Sequence, residues 1–361
     1  MKIRFNHTIF SQEKTGGISR YFVSLIKELI KTKADVKVIT FLHKNRFLNT
    51  LPKKYYNGFY LPNYPSLKFV EKLNNIKFNN SIKENNFIIH DTYYSPLIIK
   101  PRNSKKIITV HDLIHEKFKE FYRNHNLEIK KKKEAFKDCD YFICISENTK
   151  KDLIHFYNIE TSRIKVIYHG ANHLSEEFSD IHYDNDNPFI LFVGKREKYK
   201  NFKFLLEGYS KSSIINKNFR LICFGGEKFN SDERSLIEEL NISEKIFQIN
   251  GDDNLLKSFY SKANALIVPS LYEGFGFSIL EAMRLKCPIF CSEIDIFKEI
   301  CNDNAIYFNP KNIDDFINKI ETFLWKESYL KEITLKAYKE SKDFTWKKNC
   351  EETLKIYKKL S

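Results

Sequence analysis

The stretch ALIVPSLYEGFGFSILEAM at residues 265–283 predicts a buried strand, a glycine-containing loop and a helix in immediate succession. The apolar run ends at Pro269, and the helical pattern begins near Phe277. Gly274 and Gly276 lie in the loop, where the lack of a side chain lets the backbone approach a ligand closely. Because the first N–H groups of a helix are unpaired and attract anions, this turn is typical of phosphate-binding sites in α/β proteins.

Two glutamates accompany this turn, Glu273 in the loop and Glu281 on the helix. A lone carboxylate beside a phosphate would be repelled, so Glu273 needs a different partner. Carboxylates accept hydrogen bonds from sugar hydroxyls and stabilise an oxocarbenium-like transition state. Glu281 can likewise accept from ribose hydroxyls, as acidic residues do in dinucleotide sites. The spacing alone fits a capped helix with two solvated glutamates as well, and it leaves both interpretations open.

The Glu-Gly-Phe-Gly turn, with seven residues between Glu273 and Glu281, resembles the signature of family 4 glycosyltransferases, which have the GT-B fold. The resemblance runs over most of the chain, and it is densest in residues 141–310 and weakest in 42–85. It implies that Glu273 faces the transferred sugar, that Glu281 binds the nucleotide ribose, and that the residues between them hold sugar and phosphate oxygens. The donor-binding residues implied in this way are Gly274, Phe275, Gly276, Phe277 and Ser278.

A second motif, FVGKREKYKNF at residues 192–202, follows another predicted strand. Gly194 permits a tight turn, and four cations come after it: Lys195, Arg196, Lys198 and Lys200. Such a cluster suits charge-assisted hydrogen bonds to a diphosphate, although a solvated basic loop has the same composition. Family members carry Gly, an Arg and then Lys-Asn here. The resemblance implies that Lys200 and an arginine hold the diphosphate beside Asn201; either Lys195 or Arg196 fills the arginine role, and we favour Arg196.

Three segments of the first half carry weaker signals. KTGGISRYF at 14–22 lacks the Gly-Lys-Ser/Thr ending of a Walker loop, and its glycine pair suits an ordinary turn. The strands ending in IITVHD and FIIHDT place polar groups at a sheet edge, where a buried structural histidine is the alternative. The resemblance implies that one histidine lies near the hydroxymethyl group of the sugar and that the other residues line the cleft. These residues are His111, Gly16, Gly17, Arg20 and Thr92.

Apolar strand-like runs alternate with helical patterns along the chain, which indicates parallel βαβ construction. We predict six strands in the first half and five in the second, while residues 48–85 stay unassigned. The fold class is therefore α/β, with two Rossmann-like doubly wound domains facing across a cleft, the GT-B arrangement. We expect an acceptor-binding domain at 1–172 and a nucleotide-sugar-binding domain at 173–345, with a polar linker at 174–187. A C-terminal helix at 346–361 is expected to pack back toward the first domain.

The net charge of +14 is distributed unevenly. Residues 1–180 carry +13 and residues 181–361 carry +1. A basic first half indicates anionic partners, namely nucleic acid, an acidic membrane surface or phosphorylated substrates. The lysine run 130–133, together with the cations and aromatic rings of residues 53–60, suits anionic lipid headgroups and lipid-diphosphate acceptors. Ordinary solvated faces of a lysine-rich chain remain the alternative.

The seven cysteines are odd in number and form no Cys-x-x-Cys pair, so we expect reduced thiols and no metal site. No apolar run reaches the roughly 18 residues of a membrane span, and the N-terminus has no signal-peptide core. We therefore expect a cytoplasmic protein, at most peripheral on the inner face of the cell membrane.

The resemblance implies a retaining glycosyltransferase that needs no cofactor or metal ion. It would move a hexose (mannose, glucose, galactose or N-acetylhexosamine) from a UDP- or GDP-sugar to a glycan or lipid-linked saccharide in cell-envelope polysaccharide synthesis. A nucleotide-sugar epimerase of the same fold is the alternative enzyme, and it would turn over without an acceptor. A basic nucleic-acid-binding protein is the alternative of another class, although no helix-turn-helix, zinc-finger or RNA-recognition pattern supports it.

Overall fold

Seven parallel strands form the first of two sheets in the computed structural model, which describes residues 1–64, 66–83, 86–95, 98–171 and 187–361. Their spatial order is β3-β2-β1-β4-β5-β6-β7. The strands are β1 (Lys2–Phe5), β2 (Asp35–His43), β3 (Tyr56–Tyr60), β4 (Ile88–Asp91), β5 (Lys105–Val110), β6 (Tyr141–Cys144) and β7 (Ile164–Val166). The helices around them are α1 (Thr8–Gln12), α2 (Gly17–Lys31), α3 (Leu67–Ser81), α4 (Ile114–Lys117), α5 (His125–Lys137) and α6 (Glu147–Tyr157).

Six parallel strands form the second sheet, in the order β10-β9-β8-β11-β12-β13. The strands are β8 (Phe189–Val193), β9 (Arg220–Phe224), β10 (Ile246–Ile249), β11 (Ala265–Val268), β12 (Ile289–Ser292) and β13 (Ile306–Phe308). The helices are α7 (Phe202–Lys211), α8 (Ser213–Asn218), α9 (Ser231–Glu239), α10 (Asp253–Lys262), α11 (Phe277–Arg284), α12 (Asp295–Cys301), α13 (Ile313–Phe323) and α14 (Glu327–Ser341). Both sheets are doubly wound, which confirms the predicted α/β class.

The chain divides into two compact units, residues 1–170 with 345–361 and residues 171–344. The last helix, α15 (Trp346–Leu360), thus belongs to the first unit. Tyr357 of α15 hydrogen-bonds through its hydroxyl to Nδ1 of His90 at 2.6 Å. Asn349 donates to the carbonyl of Tyr168 at 2.7 Å. These polar contacts attach α15 to the first unit. The predicted boundary at 172 and the predicted linker at 174–187, apart from its last residue, lie outside the described part of the chain.

Central strands are buried on both faces, because helices cover both sides of a parallel sheet. All four residues of β6, YFIC, are buried, and so are all four of β11, ALIV. Local capping fixes where the helices begin. The hydroxyl of Ser146 accepts the N–H of Thr149 at the start of α6.

The unassigned segment 48–85 contains strand β3 and helix α3. The apolar period of α3 is not recognisable in the sequence, because one core-facing position holds a polar residue, Asn74, which is fully buried. The Asn74 amide oxygen accepts the backbone N–H groups of Phe41 and Leu42 at 2.6 and 2.9 Å, where the register of β2 and β3 shifts. A buried asparagine that replaces lost ladder hydrogen bonds leaves no apolar signal in the sequence. The structure adds this strand and β13 to those predicted.

Candidate functional site

Two loops meet at the carboxyl edge of the second sheet, one after β8 and one after β11. These strands are neighbours, and the order of connections reverses between them. Open α/β sheets bind ligands at such a switch point. The Lys200 ammonium lies 2.5 Å from Oε1 of Glu273, and the N–H of Leu271 donates to the carbonyl of Tyr199 at 2.8 Å. The structure therefore brings together the two motifs that the sequence analysis singled out.

Glu273 is largely buried, with 8% of its surface exposed. The Ser270 hydroxyl donates to its Oε1 at 2.8 Å, and the Lys200 ammonium donates to the same oxygen. Both bonds fall on one carboxylate oxygen, which fixes the orientation of the side chain. A carboxylate oriented in this way is suited to accept hydrogen bonds or to stabilise a cationic carbon.

Helix α11 begins directly after the loop that carries Glu273. Its N-cap is Gly276, whose φ of +100° is a left-handed conformation that glycine adopts without strain. A Cβ at this position would lie 3.1 Å from the Phe297 ring, so the packing leaves little room for a side chain. The glycine lets the chain turn sharply into the helix, and the start of α11 faces the loop edge of the sheet, where its dipole favours an anion.

Glu281 lies in the second turn of α11 and is 9% exposed. The hydroxyl of Tyr260, at the end of α10, donates to Oε2 of Glu281 at 2.9 Å. Burial and the neighbouring Glu281 carboxylate raise the pKa of Tyr260 well above its usual range, so its hydroxyl keeps its proton and can act as donor. The sequence offered no signal for this contact, because the two residues are 21 positions apart on different helices.

Arg196, on the same loop as Lys200, is engaged by other partners. Its Nε donates to Oε1 of Glu233 at 2.8 Å, and its guanidinium lies 4.7 Å from the centre of the Phe229 ring. The side chain is 4% exposed. Its Nη1 has no hydrogen-bond partner among the described residues, and it lies 3.1 Å from where a Cβ of Gly226 would be. The guanidinium is thus rigidly placed and retains one unused donor group.

Gly194 and Asn201 bound this loop, and both have positive φ, +117° and 58°. A Cβ on Gly194 would meet no described atom within 4 Å, so space adjoins the backbone there. The amide of Asn201 donates to the carbonyl of Pro310 at 2.8 Å and orders the turn into α7. In this structure the side chain of Asn201 therefore stabilises the conformation of the loop.

His111 follows β5 in the first unit and is 5% exposed. Its ring lies 5.3 Å from the Tyr21 ring and 6.1 Å from the His169 ring, with which it stacks. Burial lowers the pKa of His111 to about 4, so the imidazole is neutral at pH 7. Its Nε2 has no hydrogen-bond partner among the described residues. A neutral, buried ring with an open nitrogen can exchange a hydrogen bond with a bound hydroxyl.

Gly16 and Gly17 open α2, which also carries Arg20 and Tyr21. Gly17 is exposed and Gly16 half-buried. The Arg20 guanidinium lies 4.6 Å from the Phe47 ring. Since Tyr21 contacts the His111 ring, the structure brings the first turn of α2 close to the end of β5.

Thr92 is fully buried and serves the backbone of the first unit. Its hydroxyl donates to the side-chain oxygen of Asn6 at 2.6 Å, and the N–H of Ile9 donates to that hydroxyl at 3.2 Å. Asn6 in turn donates to Asp91 at 2.7 Å. These bonds connect the end of β1 to the end of β4. Thr92 therefore stabilises the fold of the first unit, whereas the sequence predicted a residue that lines the cleft.

The lysine run 130–133 does not present all its cations to solvent. Lys132 is 1% exposed, and its ammonium donates to Oε2 of Glu116 at 2.8 Å. The hydroxyl of Tyr157 donates to the other oxygen of Glu116 at 2.5 Å. The prediction that the whole run forms an anion-binding face is therefore wrong for Lys132, which the helical period of α5 turns inward. Among the described residues no helix has the length and apolarity of a membrane span, and no group of His, Cys, Asp and Glu is placed to hold a metal ion.

Residues 175–340 match the family model described as glycosyl transferases group 1, and residues 15–173 match the model described as Glycosyltransferase Family 4. Together the two models account for nearly the whole chain. The chain belongs to the family 4 type of glycosyltransferases, as the Glu-Gly-Phe-Gly turn predicted.

One named relative and two solved structures are similar to this chain. The chain is 29% identical over 202 residues to the O-antigen chain mannosyltransferase RfbU of Salmonella typhimurium, a match that covers 53% of the chain and 56% of RfbU, so it spans little more than half of that relative. Sucrose-phosphate synthase from Thermosynechococcus elongatus superposes with a TM-score of 0.80 at 17% identity, covering 100% of this chain and 99% of the other. Anabaena Alr3699/HepE, solved in complex with UDP and glucose, superposes with a TM-score of 0.78 at 17% sequence identity. The match covers 99% of this chain and 99% of the other. These similarities establish the GT-B fold.

Proposed function

We propose that this chain is a retaining glycosyltransferase that moves a hexose from a nucleotide-diphosphate sugar to a hydroxyl of a glycan or lipid-linked saccharide. The observation that carries the proposal is the contact between Lys200 and Glu273 at the switch point of the second sheet. It joins a cation suited to a diphosphate and a carboxylate suited to the adjoining sugar. The start of α11 and Glu281 lie on the same segment of chain.

The reaction breaks the bond between the anomeric carbon and the diphosphate oxygen and forms one between that carbon and the acceptor oxygen. Lys200 and the start of α11 stabilise the negative charge on the leaving diphosphate. Arg196 adds its unused donor group to the same task. Glu273 faces the sugar and stabilises its positive charge in the transition state. The acceptor proton passes to the leaving phosphate on the same face, which preserves the anomeric configuration.

The protein supplies the positive charge for the leaving group from its own side chains, so we propose that turnover needs no metal ion or cofactor. His111 in the first unit is neutral, and its Nε2 can exchange a hydrogen bond with a sugar hydroxyl. Gly16, Gly17 and Arg20 line the acceptor side. Turnover that is unchanged by a chelator and by added Mg²⁺ is the expected result.

The donor is a UDP- or GDP-sugar, and the product belongs to cell-envelope polysaccharide. RfbU is named as an O-antigen chain mannosyltransferase, and Alr3699/HepE was solved with UDP and glucose, which supports both the donor class and the pathway class. A thermal-shift screen with UDP, GDP, ADP and TDP sugars identifies the donor. Turnover is then followed by mass spectrometry with and without a lipid-linked saccharide. Conversion of the donor without any acceptor would indicate an epimerase instead.

We also propose that the first unit binds an anionic membrane surface, where lipid-linked acceptors reside. Two aromatic residues of the first unit are strongly exposed: Phe59, on the edge strand β3, is 69% exposed and Phe69, on α3, is 59% exposed. The Phe59 ring packs 6.3 Å from that of Phe41, which is itself 40% exposed. Lys53 and Lys54 directly precede β3 in the chain and add two cations to this part of the first unit. Apolar rings among lysines suit insertion between anionic headgroups.

Cosedimentation with vesicles tests the membrane proposal. The wild-type protein is expected to bind vesicles that contain phosphatidylglycerol and not to bind vesicles of pure phosphatidylcholine. Phe59→Ser should reduce this binding, whereas Leu335→Ser, which changes an exposed leucine of the second unit, should not. Binding that does not depend on anionic lipid would contradict the proposal.

A further inference from the structure

The carboxylate of Glu281 accepts a hydrogen bond from a buried tyrosine, Tyr260. Tyr260 is fully buried at the end of α10, and its hydroxyl lies 2.9 Å from Oε2 of Glu281. Because the hydroxyl keeps its proton, it donates and the carboxylate accepts. The bond fixes one oxygen of the carboxylate, Oε2, relative to a buried ring.

We propose that Tyr260 is a positioning residue that orients Glu281 for the ribose hydroxyls of the nucleotide. This inference rests on the proposed function. Tyr260 would act through Glu281 and would not itself contact the nucleotide. A glutamate side chain has three rotatable bonds, and ordering it on ligand binding costs conformational entropy. A hydrogen bond from a buried, rigid ring restricts the carboxylate beforehand, so less affinity is lost when the ribose binds.

One feature distinguishes this arrangement from ordinary core packing. Tyr260 and Glu281 stand on different helices, α10 and α11, that precede and follow β11. Their hydrogen bond therefore connects the glutamate to the scaffold independently of its own helix. The same unit contains a second buried tyrosine, Tyr209, that serves as a control. Tyr209 is also fully buried, but its hydroxyl donates to the backbone carbonyl of Phe219 at 2.6 Å.

The test compares Tyr260→Phe with Tyr209→Phe, since each removes one buried hydroxyl from the second unit. Circular dichroism and thermal unfolding first establish that both variants are folded. Isothermal titration calorimetry then measures the affinity of UDP, GDP and ADP and of their 2′,3′-dideoxy forms for each protein. The dideoxy forms keep the base and the diphosphate and lack only the hydroxyls that Glu281 would bind.

We expect Tyr260→Phe to weaken binding of the preferred nucleoside diphosphate about tenfold, in line with the effect of other residues that orient a ligand-binding group. Its affinity for the dideoxy form should equal that of the wild type. Tyr209→Phe should leave both affinities unchanged. Equal losses for the two nucleotides, or no loss for either, would overturn the inference and leave the proposed function standing. If none of the three diphosphates binds the wild-type protein, the proposed function and this inference fall together.

Discussion

Lys200 and Glu273 are joined by an ion pair of 2.5 Å although they follow different strands of the second sheet. The lysine side chain is 20% exposed and that of the glutamate 10%, so water screens this pair only in part. An incoming diphosphate would compete with Glu273 for the ammonium. The pair thus keeps both groups in place before the donor binds, and it links binding of the diphosphate to release of the carboxylate toward the sugar.

Replacing Lys200 by methionine should weaken binding of a nucleoside diphosphate about tenfold to a hundredfold, because a charge-assisted hydrogen bond contributes about 1.5–3 kcal/mol. Binding of the corresponding nucleoside, which carries no phosphate, should not change. Calorimetry with both ligands checks this. Lys203→Met is the matched control, since that side chain is 74% exposed on α7. Equal losses for nucleoside and diphosphate would argue against a phosphate contact.

Glu273→Gln should reduce turnover about a hundredfold or more, because removal of a group that stabilises transition-state charge has effects of this size. Affinity for the nucleoside diphosphate should be kept or increased, since Lys200 loses a competing partner. Steady-state kinetics and calorimetry measure the two quantities separately. Glu332→Gln, at an exposed glutamate of α14, should behave as wild type. Full turnover by Glu273→Gln would remove the sugar-facing role.

Glu233→Ala should destabilise the protein by about 2–4 kcal/mol, because it leaves the buried guanidinium of Arg196 without its charged partner. The same change removes the capping box between Asn230 and Glu233 at the start of α9. Glu238→Ala, at an exposed position of the same helix, should cost less than about 0.5 kcal/mol. Urea unfolding compares the two. Similar midpoints would show that the Arg196–Glu233 pair adds little to stability.

Lys132→Met should lower the free energy of unfolding by about 3 kcal/mol, since the Glu116 carboxylate, 4% exposed, would be left without the lysine. Lys131→Met, one position earlier, should change it by less than about 0.5 kcal/mol because that side chain is 39% exposed. Both variants remove one positive charge from the same helix. A comparable effect of the two on unfolding in urea would contradict the burial of Lys132.

Stability should decrease as the pH falls from 7 to 5. Burial lowers the pKa of His7 and His111 to about 4 and that of His90 to about 3, below the unfolded value of 6.5. The unfolded chain therefore binds more protons in this range, and each histidine lowers the free energy of unfolding by up to about 2 kcal/mol at pH 5. Urea unfolding at both pH values measures the difference.

His90→Gln should reduce that pH-dependent difference, whatever its effect on stability at pH 7. His155→Gln, at an exposed position, should leave the difference as in the wild type. If His90→Gln retains the full wild-type difference, His90 does not contribute to it.

Local patterns were enough to predict the strand, turn and helix at 265–283, because apolar runs and glycines report backbone conformation directly. The family followed from the same turn. The partners of Arg196 and Glu281 were not predictable in this way. Glu233 lies 37 positions from Arg196, and Tyr260 lies in a helix whose apolar pattern gives no sign that its hydroxyl points to a carboxylate.

By itself the sequence determined the α/β class and the two motifs suited to a diphosphate and a sugar, because periodicity and turn residues are local properties of the chain. Only the tertiary structure decided which lysine of residues 130–133 turns inward, which hydroxyl holds each glutamate and where Arg196 is anchored. These outcomes depend on strand order and helix packing, which place residues together irrespective of their distance in sequence. Loss of water contributes as well, because a charge that is buried in the folded protein is costly unless it gains a partner.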